Sequence, residues 1–280
     1  MFFSTNKTKN TVISTLEIHS LPHLSLSSKT VKRRSERQPD FLAVQIHSFS
    51  NEVFMKDLLF EDRSEAGREL ASALISVVAP KESPIVLGIP RGGVLVATEI
   101  AQAFNAPLDI IVARKIRAPD RPEVGIGAVV NGAHISLVNE SLARTTGATP
   151  GYINREISFQ SLEIEKTLRF YRGDRPPVEI FGKTVIVVDD GIATGYTLRA
   201  ALEGLRLRNP ARLIAAVPVA SRDSFKIVKV LADEAVCLNI PEAFLAVGCW
   251  YENFEKFLED RVLAILHRNW FHASLQSLDS

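Results

Sequence analysis

The chain has 280 residues, of which 46% are hydrophobic and 23% are charged, and its 33 basic and 32 acidic residues leave a net charge of +1. This composition is ordinary for a globular protein, and the near-neutral charge argues against nucleic acid or a membrane surface as partner. The two cysteines, Cys237 and Cys249, are too few for a disulfide framework or a four-cysteine zinc site, which favours a cytoplasmic location. No apolar stretch approaches the roughly 18 residues of a transmembrane helix.

Residues 1–54 are rich in Ser and Thr, and they carry seven Lys or Arg against four Asp or Glu. Such a segment buries too little apolar surface to offset the entropy of ordering it, so we expect a disordered basic extension. A transit peptide, a solvated tail and a mis-called translation start all fit it, which leaves organellar targeting open. The last two explanations are favoured, because Met55 is the only other methionine and the folded pattern begins there.

From residue 55 onward the hydrophobic pattern alternates between helix and strand. The periodicity predicts helices over 64–78, 94–104, 150–171, 195–209 and 222–232, and a last helix whose apolar stripe runs over 254–266. It predicts strands over 85–87, 108–113, 184–188, 213–219 and 235–238, and a hairpin over 126–138 that turns at Asn131-Gly132. This alternation predicts an α/β domain, residues 55–270, with a Rossmann-like open, mainly parallel sheet and helices on both faces. Residues 271–280 are expected to be a tail.

Open α/β sheets bind their ligands beyond the carboxyl ends of their strands, and the most informative motif lies at such an end. Residues 185–197 read Val-Ile-Val-Val-Asp-Asp-Gly-Ile-Ala-Thr-Gly-Tyr-Thr. A buried strand thus leads to Asp189 and Asp190, and the next loop enters a helix. The helix dipole and the N–H groups of that loop favour a phosphate. Two carboxylates would repel the phosphate unless they face ribose hydroxyls, Mg²⁺ or developing positive charge. The loop consists of Gly191, Ile192, Ala193, Thr194, Gly195, Tyr196 and Thr197.

This stretch resembles the 5-phosphoribosyl-1-pyrophosphate (PRPP) motif of type I phosphoribosyltransferases, and all thirteen positions match. The resemblance implies that Asp189 and Asp190 are catalytic and hold the ribose hydroxyls, directly or through a Mg²⁺ shared with the substrate. It also implies that the loop 191–197 binds the 5-phosphate, with the hydroxyls of Thr194 and Thr197 contributing. The expected cofactor is therefore Mg²⁺.

Two further segments resemble parts of such an enzyme. The loop that opens the helix after the first strand corresponds to the family's pyrophosphate loop, and it contains Pro90, Arg91, Gly92 and Gly93. Arg114 and Lys115 follow the next strand and resemble the Arg-Lys pair that opens the catalytic loop of several phosphoribosyltransferases, which implies that both are catalytic and help to hold pyrophosphate. Residues 116–127 hold prolines and glycines without apolar periodicity, so we expect a mobile lid that closes over the substrates and excludes water.

Over residues 55–270 the chain resembles a subfamily of predicted bacterial phosphoribosyltransferases whose substrate is undefined. The resemblance implies transfer of the phosphoribosyl group of PRPP to an unidentified nitrogen nucleophile, with loss of pyrophosphate. A homodimer is common in the family. Two other functions stay open: a non-catalytic protein that senses PRPP or a nucleotide, and, less favoured, a phosphosugar hydrolase. The base-binding hood of a transferase is not identifiable, and residues 139–181 and 240–254 are the candidates. Trp250 and Tyr251 are expected to belong to the core or an interface.

Overall fold

The computed structural model describes residues 60–130, 135–255 and 259–276, without the side chains of 123, 135 and 271–276. The expected N-terminal extension and the predicted Asn131-Gly132 turn lie outside these residues. The helices are α1 (Arg63–Leu74), α2 (Gly92–Ala103), α3 (Glu140–Thr145), α4 (Pro150–Arg172), α5 (Tyr196–Arg206), α6 (Arg222–Leu231) and α7 (Glu259–Gln276). The strands are β1 (Ile85–Gly88), β2 (Leu108–Ile110), β3 (Ala113–Ala118), β4 (Arg121–Val130), β5 (Ile135–Val138), β6 (Thr184–Val188), β7 (Arg212–Val219) and β8 (Glu234–Asn239).

A five-stranded parallel sheet forms the centre of the domain, in the order β2-β1-β6-β7-β8. Because side chains alternate along a strand, β6 contributes to a core on each face. Ile186 and Val188 pack with residues of α1, α2 and α7, whereas Val185 and Val187 pack with residues of α5 and α6. The prediction of a mainly parallel sheet with helices on both faces is therefore confirmed.

A second, antiparallel sheet of three strands, in the order β3-β4-β5, corrects two predictions. The strand predicted over 108–113 is confirmed at 108–110 but is wrong beyond that, because β2 ends at Ile110 and a strand of the other sheet begins at Ala113. The irregular backbone predicted over 116–127 is also wrong, because most of these residues form the β3–β4 hairpin, whereas closure of this segment over the substrates stays a prediction. Pairing passes from Arg117 with Gly125 to Ala118 with Arg121, so the intervening segment is looped out of the ladder. The hairpin is anchored by side chains in the core, notably Ile116 and Ile126.

The first of the described residues meets a segment that follows β8, in a small third cluster of buried side chains. Phe60 forms a parallel bridge with Tyr251, and its N–H donates to the carbonyl of Trp250 at 3.3 Å. These three side chains are buried, as expected for Trp250 and Tyr251. Phe254 packs against the same cluster. The predicted stripe of the last helix is therefore wrong at Phe254, which lies outside a helix, while Phe257 and Leu258 lie outside the described residues and α7 is described from Glu259.

Local sequence signals explain where the helices begin. The side chain of Asp62 accepts hydrogen bonds from the N–H groups of Ser64 and Glu65 at the start of α1. Thr149 caps α4, and Pro150 occupies its first turn, as predicted. Within the described part of the chain, no helix has the length and apolar character that crossing a membrane requires.

Candidate active site

Asp189 and Asp190, the acid pair, lie at the carboxyl end of β6, in the middle of the parallel sheet. The N–H of Asp190 donates to Oδ1 of Asp189 at 2.9 Å, so the two residues form a tight corner directly after Val188. The pKa of the Asp189 carboxyl is raised well above its usual range, first because burial desolvates the charge and second because Asp190 lies beside it. The negative charge of Asp189 is therefore costly until a ligand offsets it.

Asp190 is held by residues far from it in the sequence. Nε of Arg63 donates to Oδ2 of Asp190 at 2.8 Å, and Nη1 of Arg63 donates to the carbonyl of Glu255 at 3.1 Å. The guanidinium carbon of Arg63 lies 3.9 Å from the centre of the Phe254 ring, a cation–π contact. The hydroxyl of Tyr251 donates to the carbonyl of Asp190 at 2.5 Å. Asp190 is thus fixed through both its side chain and its backbone.

The loop 191–197 is tied to the end of β7 and to the start of α6. The N–H of Ile192 donates to the carbonyl of Val219 at 2.9 Å. The hydroxyls of Ser221 and Ser224 both donate to the carbonyl of Ala193, at 2.7 and 2.8 Å. These bonds fix the loop without using its N–H groups at 193–195.

The first turn of α5 is open to an anion. Its N-cap residue, Gly195, has a φ of 73° and supplies no side-chain cap. The first N–H groups of a helix have no partner within the helix, and the positive end of the dipole lies there. A phosphate is therefore a suitable ligand for this loop and helix.

The predicted pyrophosphate loop packs directly on the acid pair. A Cβ atom built on Gly92 would lie 1.8 Å from Oδ2 of Asp190, and one on Gly93 would lie 2.6 Å from the carbonyl oxygen of Val188. Only glycine permits this approach. The Pro90–Arg91 peptide bond is cis. The side chain of Arg91 forms an ion pair with Glu259 of α7, and both side chains are about half exposed.

Arg114 and Lys115 lie inside β3, not at the end of a strand of the main sheet, and their side chains have different surroundings. Successive side chains of a strand point to opposite faces. Nε of Arg114 donates to Oε1 of the buried Gln160 on α4, at 2.8 Å. Lys115 instead lines a cavity of about 450 Å³ together with Tyr196, in the first turn of α5. Of the two, only Lys115 is shown near the phosphate loop.

A magnesium ion fits this site only if it is shared with a substrate. In the described ranges, no group of three or more His, Cys, Asp or Glu side chains could hold a metal. Asp189 and Asp190 offer hard carboxylate oxygens, and each keeps one oxygen that the contacts above do not engage. Mg²⁺ is commonly held by one or two carboxylates together with substrate phosphates. The donor set therefore fits a substrate-bound ion.

Three residues of the site were not predicted from the sequence, because each acts through a contact that is distant in sequence: Arg63, Tyr251 and Ser224. A signal for Arg63 was nevertheless present. It lies on the same face of α1 as Ala66 and Leu70, which are completely buried. A charged residue on an apolar stripe indicates a buried partner, since an unpaired charge is costly to bury.

Comparisons with known proteins agree with this geometry. Residues 60–251 match the model of the phosphoribosyl transferase domain. Two relatives from Mycobacterium tuberculosis, named "Putative phosphoribosyl transferase MT0597" (strain CDC 1551 / Oshkosh) and "Putative phosphoribosyl transferase Rv0571c" (strain H37Rv), are each 37% identical over 210 residues, which is 75% of this chain and 47% of theirs. The chain thus spans about half the length of these relatives.

Among solved structures, the crystal structure of TT1426 from Thermus thermophilus is similar, with 39% identity and a TM-score of 0.67. The match covers 74% of this chain and 97% of that one. The family model spans well over half of the 280 residues, from the Phe60 bridge to its Tyr251 partner. The chain therefore belongs to the phosphoribosyl transferase domain family, as the motif at 185–197 predicts.

Proposed function

We propose that the protein transfers the phosphoribosyl group of PRPP to a nitrogen nucleophile and releases pyrophosphate, with Mg²⁺ bound beside PRPP. The observation that supports this is the position of the acid pair. Asp189 and Asp190 lie between the glycine loop at Gly92 and the loop that opens α5. PRPP has the matching order of groups, because its ribose hydroxyls stand between a pyrophosphate and a 5-phosphate.

The acid pair stabilises positive charge on the sugar. As the bond from ribose C1 to pyrophosphate breaks, positive charge develops on the ring, and only interactions stronger in that transition state accelerate the reaction. Asp189 and Asp190 accept hydrogen bonds from the 2- and 3-hydroxyls, close to this charge. The positive charge on the ring also stabilises the negative charge of Asp189, which burial makes costly in the unliganded protein.

The two anion sites bind the ends of the substrate. N–H groups of 191–197, with the hydroxyls of Thr194 and Thr197, bind the 5-phosphate. Arg91, with Gly92 and Gly93, binds pyrophosphate, and Lys115 approaches from β3. Mg²⁺, when bound, neutralises part of the charge of the leaving group. Arg91 exchanges its exposed Glu259 partner for pyrophosphate at little cost, because exposed ion pairs are weak.

Pyrophosphate leaves with the electron pair of the broken bond, and the acceptor nitrogen supplies the pair for the new bond to C1. The acceptor nitrogen then loses a proton, which an acidic N–H can release without a dedicated base. The proposed transfer therefore requires a bound acceptor with such a nitrogen, and the proton passes to solvent.

The first test is a calorimetric titration of the full chain with PRPP, with and without Mg²⁺. We expect micromolar binding that requires Mg²⁺ and that ribose 5-phosphate competes away. The variant with both Asp189→Ala and Asp190→Ala should lose the heat, and the charge variant Asp223→Ala, on the exposed side of α6, should keep it. No heat and no competition would overturn the proposal.

Turnover then separates the proposed transferase from the two other functions. Pyrophosphate release should depend on a nitrogenous acceptor. Binding without release, across purine, pyrimidine and amine acceptors, would instead support a PRPP sensor. Phosphate release from PRPP with no acceptor present would support a phosphosugar hydrolase.

A further inference from the structure

The long helix α4 carries an exposed apolar stripe that is not covered by any described residue. Phe159 and Phe170 are each 50% exposed, and Leu162 is 56% exposed. The opposite side of α4 is buried through Gln160 and Ile164. Exposed aromatic side chains on a helix that packs along its other side are typical of an interaction surface.

The two phenylalanines of the stripe and the charged residues between them follow a symmetrical order of residue types. Phe159, Glu163, Lys166 and Phe170 are spaced by four, three and four residues, which returns to one side of a helix. The centre lies between positions 164 and 165. On either side of it stand an acid and a base, and beyond these stand two phenylalanines. A two-fold axis through this centre would therefore pair unlike charges and pair the two rings.

The pattern continues beyond these four residues. Arg155 lies four residues before Phe159, and Asp174 lies four residues after Phe170, just past the end of α4. Both are exposed. The same axis brings a base and an acid together at each end of the stripe. A pattern that is complementary to itself under rotation is the requirement for an isologous dimer.

We propose that two copies of this chain associate through α4, antiparallel about a two-fold axis between positions 164 and 165. Glu163 pairs with the partner's Lys166, and Phe159 packs against the partner's Phe170. Each contact occurs twice because of the symmetry. The proposal does not depend on the function proposed above.

The register is specified by the same residues. A shift of one helical turn in one direction sets Phe170 opposite the partner's Glu163. A shift in the other direction sets Phe159 opposite the partner's Lys166. The first alternative places a carboxylate against an aromatic ring, and both separate the central glutamate from the partner's lysine and the two rings from each other, so the register centred between positions 164 and 165 is favoured.

The pairing within one chain does not exclude the pairing between chains. Nζ of Lys166 donates to Oε1 of Glu163 at 2.7 Å in the same helix. An ammonium group has three donors, and the side chain of Lys166 is 73% exposed. Lys166 can therefore bind its own Glu163 and the partner's Glu163 together.

Sedimentation velocity on the full chain tests this interface. We expect the wild type to be a dimer, and Glu163→Lys and Lys166→Glu each to be a monomer, because each variant creates two like-charge pairs at the centre. An equal mixture of the two variants should regain the dimer mass. In the mixed dimer every central lysine faces a glutamate of the other copy, although neither chain regains its own internal pair.

A matched control is available on α6, where Lys226 and Asp223 form an exposed pair with the same three-residue spacing. Lys226→Glu should remain a dimer. Circular dichroism confirms that each variant is folded. A monomeric wild type, a dimer that survives both single reversals, or a mixture that stays monomeric would each overturn the proposal.

Discussion

The guanidinium of Arg63 and the carboxylate of Asp190 form an ion pair at 2.8 Å across 127 residues of sequence, with only 5% and 16% of their side chains exposed. The neighbouring Asp189 has a raised pKa, because it is desolvated beside the charge of Asp190. The two adjacent carboxylates thus have different surroundings, because among the described residues only Asp190 forms an ion pair with a cation. Different environments for paired acids are a common way to give them different tasks.

Arg63→Met should lower the free energy of unfolding by about 3 kcal/mol, because it leaves a largely buried carboxylate without its partner. Adding Asp190→Asn should recover part of that loss. Urea denaturation of both single variants and the double variant measures the coupling, which we expect to be at least about 1 kcal/mol. Additive effects would mean that the ion pair contributes no stability of its own.

Asp189→Asn should stabilise the unliganded protein at neutral pH. A carboxyl whose pKa is raised on folding binds its proton more tightly in the folded state, so its contribution to stability is complete below the unfolded pKa and is lost as pH rises through the folded one. Between these two pKa values the wild type should lose stability with rising pH, and the variant should lack this slope. Urea midpoints measured from acidic to neutral pH check this, and equal slopes would contradict it.

Gly92→Ala should abolish PRPP binding. The new methyl group would lie 1.8 Å from Oδ2 of Asp190 and 2.8 Å from Nε of Arg63, so the carboxylate must move. Gly151→Ala is the matched control, because its methyl group meets nothing closer than 3.8 Å, at Arg155, in the first turn of α4. Calorimetry with PRPP should give no heat for the first variant and wild-type heat for the second. Unchanged affinity in Gly92→Ala would separate this loop from the site.

Ser224→Ala should weaken the binding of ribose 5-phosphate about fivefold, the equivalent of about 1 kcal/mol for one hydrogen bond. The hydroxyl holds the carbonyl of Ala193 and thereby the phosphate loop. Ser158→Ala removes a comparable hydroxyl-to-carbonyl bond on exposed α4 and should have no effect. Equal affinities for both variants would show that the loop keeps its shape without Ser224.

Asp190→Asn should reduce turnover by roughly 100-fold or more, if its charge acts in the transition state. The amide oxygen of asparagine can still accept the hydrogen bond from Arg63, so the fold should persist. Steady-state release of pyrophosphate with an identified acceptor gives the rate. Turnover within about threefold of wild type would remove Asp190 from this role.

The parallel sheet could be predicted because its strands are short, apolar and flanked by turns, as in β6. The end of β2 at Ile110, where the chain leaves the parallel sheet, could not be predicted. Residues 108–113 form one nearly continuous apolar run, and Ile110 and Ile111 pack into opposite cores just as successive residues of one strand would. Nothing in the local pattern marks the point where the chain leaves one sheet for the other.

The candidate site likewise contains some residues that could be predicted from the sequence and others that could not. Asp189, Asp190 and the phosphate loop were predictable because a strand end, an acid pair and a helix start are adjacent in the sequence. Arg63 and Tyr251 were not, since their contacts with Asp190 arise from packing between distant segments. The exposure of the α4 stripe was likewise unpredictable, because periodicity alone does not reveal which side of a helix is covered.

The bridge between Phe60 and Tyr251 has a consequence for synthesis. Asp190 is held by Arg63, near the first of the described residues, and by Tyr251, which follows the last strand of the parallel sheet. A ribosome delivers these segments in order, and native contacts between distant segments form only after both have emerged. A nascent chain that stops short of residue 251 therefore contains the whole PRPP motif but lacks the hydroxyl that binds the carbonyl of Asp190, so we expect full affinity for the ligand only once that segment has emerged.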